Sequence, residues 1–144
     1  MILGLDASTS TVGWAFSDDG KIVDAGFLDI SHLETSKEKS FFVLDYLRST
    51  PNLKYVTSIN LEAALSGFAG GRTSQQVIIK LARFNAVFEY IISEETDIKV
   101  NLCNVNTMRK QLFGKSRVKG IKPKDYVKLN IGKYIEDFTQ KGLL

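Results

Sequence analysis

Two acids in this chain stand where an acid needs a reason. Met1-Ile2-Leu3-Gly4-Leu5 is an almost unbroken apolar run, suited to a strand buried on both faces, and it ends in Asp6. Tyr55, Thr57, Ile59 and Leu61 alternate with Val56, Ser58, Asn60 and Glu62, so a second strand ends in a carboxylate as well. Two carboxylates brought to one rim repel, which raises at least one pKa unless a hard cation neutralises them. Oxygen donors favour magnesium, with manganese as the substitute. Two such ions about 4 Å apart can activate a water and stabilise the leaving oxygen in phosphodiester cleavage. Asp6 alone reads more simply as a strand-end acid beside the Ser8–Thr11 turn, so its assignment as a metal ligand and catalytic residue rests on its pairing with Glu62.

That pairing depends on the elements around it. The pattern predicts strands over 1–5 and 12–16, a turn at Asp18-Asp19-Gly20 and a third strand over 21–30, which together form an antiparallel meander. A helix over 36–48 follows, then a fourth strand over 55–64. The strand–helix–strand unit makes the fourth strand a parallel neighbour of the first and brings Glu62 beside Asp6. Leu65 to Thr73 holds three glycines and reads as an irregular loop. From Ser74 to Glu95, Val77, Leu81, Phe84, Phe88 and Ile91 form one apolar stripe that Ile78 and Ile92 widen. The stripe is read as core first and as a dimer interface second. A fifth strand over 97–105, a short helix capped by Asn106 or Thr107 and closed by Gly114, and a last helix from Lys122 or Pro123 to Phe138 complete the reading. The expected architecture is a single α/β domain over 1–144. Its five-stranded mixed sheet, with strands 1–3 antiparallel and strands 4 and 5 parallel, is flanked by helices.

Composition narrows the classes. A hydrophobic share of 44% and a charged share of 24% fit a globular domain, and no apolar run is long enough for a membrane span. The N-terminus lacks a secretory pattern, so an intracellular, non-secreted protein is expected. A single cysteine, Cys103, and a single histidine, His32, make neither an internal disulfide nor a zinc cluster.

The net charge of +3 matters less than its distribution. Lys115, Arg117, Lys119, Lys122, Lys124 and Lys128 stand against Asp125 alone within residues 115–128, a local excess of five positive charges. Such a stretch suits phosphate contacts, which position nucleic acid without reading its sequence. Lys115, Arg117, Lys119 and Lys122 are therefore candidate DNA-binding residues. Phe68 and Arg72 in the glycine-rich loop, and Lys80, which lies off the apolar stripe with Arg83, are candidates too.

Gly4-Leu5-Asp6, Ser10-Thr11-Val12-Gly13-Trp14 and Leu61-Glu62-Ala63, in this order of elements, resemble the RuvC-type Holliday junction resolvases of the ribonuclease H-like superfamily. Phage-encoded members are the natural comparison for a chain this short. The resemblance spans nearly the whole chain and implies a magnesium-dependent, homodimeric endonuclease that cuts branched DNA, with Asp6 and Glu62 matching the first two metal-binding acids. Two departures accompany it. The family carries a further acidic pair near the start of a C-terminal helix, and this chain stops at Leu144 before one, so the domain is expected to lack that helix and to cleave poorly. The family's junction-wedging aromatic falls at Leu65, and Phe68 is the expected substitute. Two rival readings remain: a non-catalytic branched-DNA-binding module with an incomplete acid set, and an actin-like sugar kinase or ATPase domain with a phosphate loop at Asp6-Ala7-Ser8-Thr9.

Overall fold

The alternation along the first strand decides which way the sheet faces. Leu3, Leu5 and Ala7 are buried, whereas Ile2, Gly4 and Asp6 occupy the opposite face. In the computed structural model, which describes residues 1–64 and 74–132, the elements are β1 (Ile2–Ala7), β2 (Thr11–Asp18), β3 (Lys21–Asp29), α1 (Ser36–Ser49), β4 (Ser58–Glu62), α2 (Gln75–Thr96), β5 (Val100–Cys103), α3 (Val105–Phe113) and α4 (Pro123–Ile131).

The strands form one sheet in the order β3-β2-β1-β4-β5. β1 pairs antiparallel with β2 and parallel with β4, and β4 pairs parallel with β5. The expected five-stranded mixed sheet is therefore the observed one. The meander closes at Asp19 and Gly20, both at positive φ (48° and 75°), the backbone of a tight hairpin turn.

One face of the sheet carries the core. Val12, Trp14 and Phe16 of β2 and Ile59 and Leu61 of β4 join the buried residues of β1 against Val43, Leu44 and Leu47 of α1 and Phe84, Phe88, Ile91 and Ile92 of α2. Trp14 lies across Gly26 of β3, where an added β-carbon would come within 2.8 Å of the indole. Only a glycine admits that approach. α1 starts on a capping box: Thr35 accepts from the Glu38 backbone N–H, while the Glu38 carboxylate accepts from the Thr35 N–H. Those hydrogen bonds hold the Glu38 carboxyl below its usual range.

Several boundaries differ from expectation for local reasons. β4 begins at Ser58, because Leu53–Tyr55 winds into a 3₁₀ turn that leaves Tyr55 exposed beneath the Lys54 ammonium. The cap of α3 is Asn104, whose Oδ1 accepts from the Asn106 and Thr107 N–H groups, so neither of those residues is the cap. The apolar stripe of α2 is buried from Phe84 onward, whereas Val77 is exposed. The last helix is described to Ile131, and its expected continuation to Phe138 lies outside the described residues.

Candidate metal centre

Leu5 and Leu61 face each other across the parallel β1–β4 pair, both buried on the helical side. The next residue on each strand is an acid, and the period of two turns Asp6 and Glu62 to the other face of the sheet. Neighbouring strands lie about 4.8 Å apart, which brings together the two strand ends that carry the acids. Asp6 is exposed and Glu62 partly buried. Burial pushes the Glu62 carboxyl above its ordinary value of 4.5, and the negative charge of Asp6 pushes the same way, while the Arg109 guanidinium on α3 pulls it back.

Among the described residues, the neighbours of Asp6 leave this edge open. Gly13 is the partner of Asp6 on β2, and a β-carbon there would stand 3.9 Å from the Asp6 Cβ, so its absence leaves space along the flank of Asp6. Cys103 is the partner of Glu62 on β5. Below it, the Asn101 amide donates to Ser58 Oγ (2.8 Å) and Asn60 Oδ1 (3.2 Å), a satisfied polar row leading up to the acid.

Two hard carboxylate donors fit a magnesium ion, which keeps several waters and takes phosphate oxygens in its remaining positions. Among the described residues no group of three or more His, Cys, Asp and Glu side chains is placed to hold a metal. The donors therefore account for one ion. Cys103 adds a soft sulfur, which magnesium does not favour.

The other sequence-predicted site residues are spread more widely. Lys115, Arg117, Lys119 and Lys122 are exposed along the segment between α3 and α4. That segment is anchored by Tyr126, whose OH donates to the Phe113 carbonyl at 3.0 Å and whose ring packs edge-on against Phe113. Lys80 is exposed on α2 and lines a pocket with Arg83. Phe68, Arg72 and Leu65 lie outside the described residues. Asp125 is exposed in the first turn of α4, in keeping with a solvated helix position. His32 is exposed and packs its ring edge-on against Phe42. Trp14 is core.

Arg109 is not legible as a site residue from the sequence. Its signal is topological: α3 begins two residues after β5 ends, and β5 borders β4, so the first turns of α3 rise at the rim that holds Glu62.

No protein-family model matches the chain, and no curated protein matches it. Solved structures do. RuvC from Thermus thermophilus in complex with a Holliday junction substrate superposes with a TM-score of 0.65 at 12% identity, covering 92% of this chain and 76% of that one. A second Thermus thermophilus RuvC structure gives a TM-score of 0.61 at 11% identity over 92% of this chain and 78% of that one. A ROK hexokinase from Thermus thermophilus gives 0.51 at 15% identity, covering 80% of this chain and 38% of that one. With its sheet order and its mixed strand pairing, the chain has the ribonuclease H-like fold that RuvC displays.

Proposed function

We propose that this chain is a magnesium-dependent, structure-selective endonuclease that resolves Holliday or other branched DNA junctions by two-metal phosphodiester hydrolysis, with Asp6 and Glu62 holding one of the two ions. The observation that supports it most is the placement of Asp6 and Glu62 on adjacent parallel strands at one rim of a RuvC-like fold. In this reading Asp6 and Glu62 hold the cation, with manganese as a substitute. When bound, the cation lowers the pKa of a water and withdraws charge from the scissile phosphate. Arg109 tempers the repulsion at Glu62. Lys115, Arg117, Lys119, Lys122 and Lys80, together with Arg72, neutralise backbone phosphates, and Phe68 wedges the junction. The protein acts inside the cell as a phage-type member of its group. It pairs as a homodimer through the outward side of α2, where Ile79, Val87 and Tyr90 are exposed.

A second reading is a branched-DNA-binding module without catalysis. The absence of a third acid beside Asp6 and Glu62 among the described residues favours it. Incubating a four-way junction with the protein in magnesium or manganese separates the two. Nicking by the wild type that disappears in Asp6→Asn supports the endonuclease, whereas salt-dependent junction binding with no nick in either metal supports the module. Phosphoryl transfer from ATP to a sugar, without DNA binding, would overturn both readings.

A further inference from the structure

A second cluster of charge sits on the other side of the same sheet edge. The turn that follows Asp6 carries Thr9, and the ammonium of Lys39 on α1 donates to the Thr9 carbonyl. This hydrogen bond ties the β1–β2 turn to the first part of α1. Across from it, Lys80 and Arg83 stand three residues apart on α2, the spacing that places two side chains on one helix face. Together with Glu34 and Ser36 these residues line an open, mostly polar cavity of about 380 Å³ whose floor is the buried Phe84 ring.

The charge in this cavity is unbalanced. Among the described residues that line it, Lys39, Lys80 and Arg83 face a single acid, Glu34. Among the described residues the side chains of Lys80 and Arg83 make no ion pair. Like charges converging on one space repel, and an anion with several acceptor oxygens relieves that repulsion while accepting from Lys and Arg donors. Apolar ligands are disfavoured by the same polar lining. Thr9, in the turn that leads out of the strand carrying Asp6, is part of the cavity lining.

We propose that this cavity is a phosphate subsite that grips the backbone of a DNA strand while the strand crosses the Asp6–Glu62 rim. Lys80 and Arg83 supply the charge. Lys39 contributes its remaining donors and keeps the β1–β2 turn in place as one wall. The subsite rests on the endonuclease reading and deepens it by naming where the bound strand is held. Its ligand chemistry, a phosphate group, is also presented by free nucleotides, so the test carries an arm for each source.

The experiment measures the affinity of the full chain for a fluorescent four-way junction over a series of salt concentrations, for the wild type and for the double variant Lys80→Gln/Arg83→Gln, with ATP and inorganic phosphate as competitors. A pair of arginines, Lys80→Arg with Arg83 kept, serves as the conservative control. The subsite predicts that the glutamine pair weakens junction binding by about tenfold or more and flattens the salt slope by about two, one for each phosphate charge that the variant no longer neutralises. The arginine control keeps wild-type affinity and slope. ATP and inorganic phosphate compete only weakly. Unchanged affinity and slope in the glutamine pair overturn the subsite, as does tight ATP binding that the same substitutions abolish, which assigns the cavity to a nucleotide. Loss of slope in a protein whose circular dichroism is unaltered excludes misfolding as the cause. The endonuclease reading is read separately from nicking by the wild type, so a wild type that nicks junctions while the glutamine pair binds normally overturns the subsite alone.

Discussion

Asp6 and Glu62 are the residues that follow the Leu5–Leu61 rung of two parallel strands, so a buried apolar pair on one face of the sheet is succeeded by an acidic pair on the other. The same register that closes the core therefore sets the carboxylates together. Replacing either acid by its amide keeps the shape and removes the charge. Asp6→Asn and Glu62→Gln are each expected to lower junction nicking by roughly two orders of magnitude or more, the loss of several kcal/mol of charge stabilisation. Initial rates in magnesium check this, with junction affinity retained.

The repulsion within the pair gives a titration that nuclear magnetic resonance can follow at the Glu62 carboxyl carbon. In metal-free buffer Glu62 is expected to titrate above 4.5. Asp6→Asn removes one raising cause and moves the midpoint down part of the way, because burial, the larger cause, remains. Arg109→Gln removes the opposing cation and moves it up.

The same shift fixes the sign of a stability effect. A carboxyl whose folded pKa is raised favours the folded state fully below its unfolded value, and that contribution is lost as the pH rises through the raised value. Glu62→Gln mimics the protonated form. It is therefore expected to raise the metal-free Tm at pH 8 and to leave it near the wild type at pH 4. Magnesium should raise the wild-type Tm at pH 8 and less so toward pH 5, where protons compete for Glu62. Thermal unfolding at these pH values, with and without the ion, measures both.

Gly13 leaves the flank of Asp6 open, with an added β-carbon at ordinary contact distance, 3.9 Å from the Asp6 Cβ. Gly13→Val is expected to fold with a Tm within a few degrees of the wild type, yet to lower nicking by about tenfold or more by crowding the approach to Asp6. A paired Tm and rate measurement distinguishes this from a folding defect.

Gly26 is the opposite case, since its missing side chain is occupied by the Trp14 indole. Gly26→Ala is expected to cost about 1–3 kcal/mol through overpacking and to lower Tm by roughly 3–10 °C, checked by thermal unfolding.

The parts of this arrangement that are legible in the sequence are those written in a short period. The apolar run before Asp6 and the alternation before Glu62 each define a strand and the face its acid takes, and the strand–helix–strand rule supplies the parallel pairing. Arg109 and the Lys39–Lys80–Arg83 cavity carry no such period. They depend on where α1, α2 and α3 dock, and docking is decided by side-chain packing over distances that no local pattern encodes. The start of β4 is not legible because alternation continues back through Tyr55, where a 3₁₀ turn after Pro51-Asn52 overrides it. The cap of α3 lies two or three residues earlier than expected because Asn104, Asn106 and Thr107 are all competent caps, and it is Asn104 that has the extended backbone a cap needs.

Whether Asp6 and Glu62 together hold a divalent cation is decided by manganese titration followed by electron paramagnetic resonance. The wild type is expected to bind manganese saturably, magnesium to displace it, and Asp6→Asn and Glu62→Gln each to abolish that binding or weaken it at least about tenfold. Equal manganese binding by the wild type and both variants would contradict the shared site.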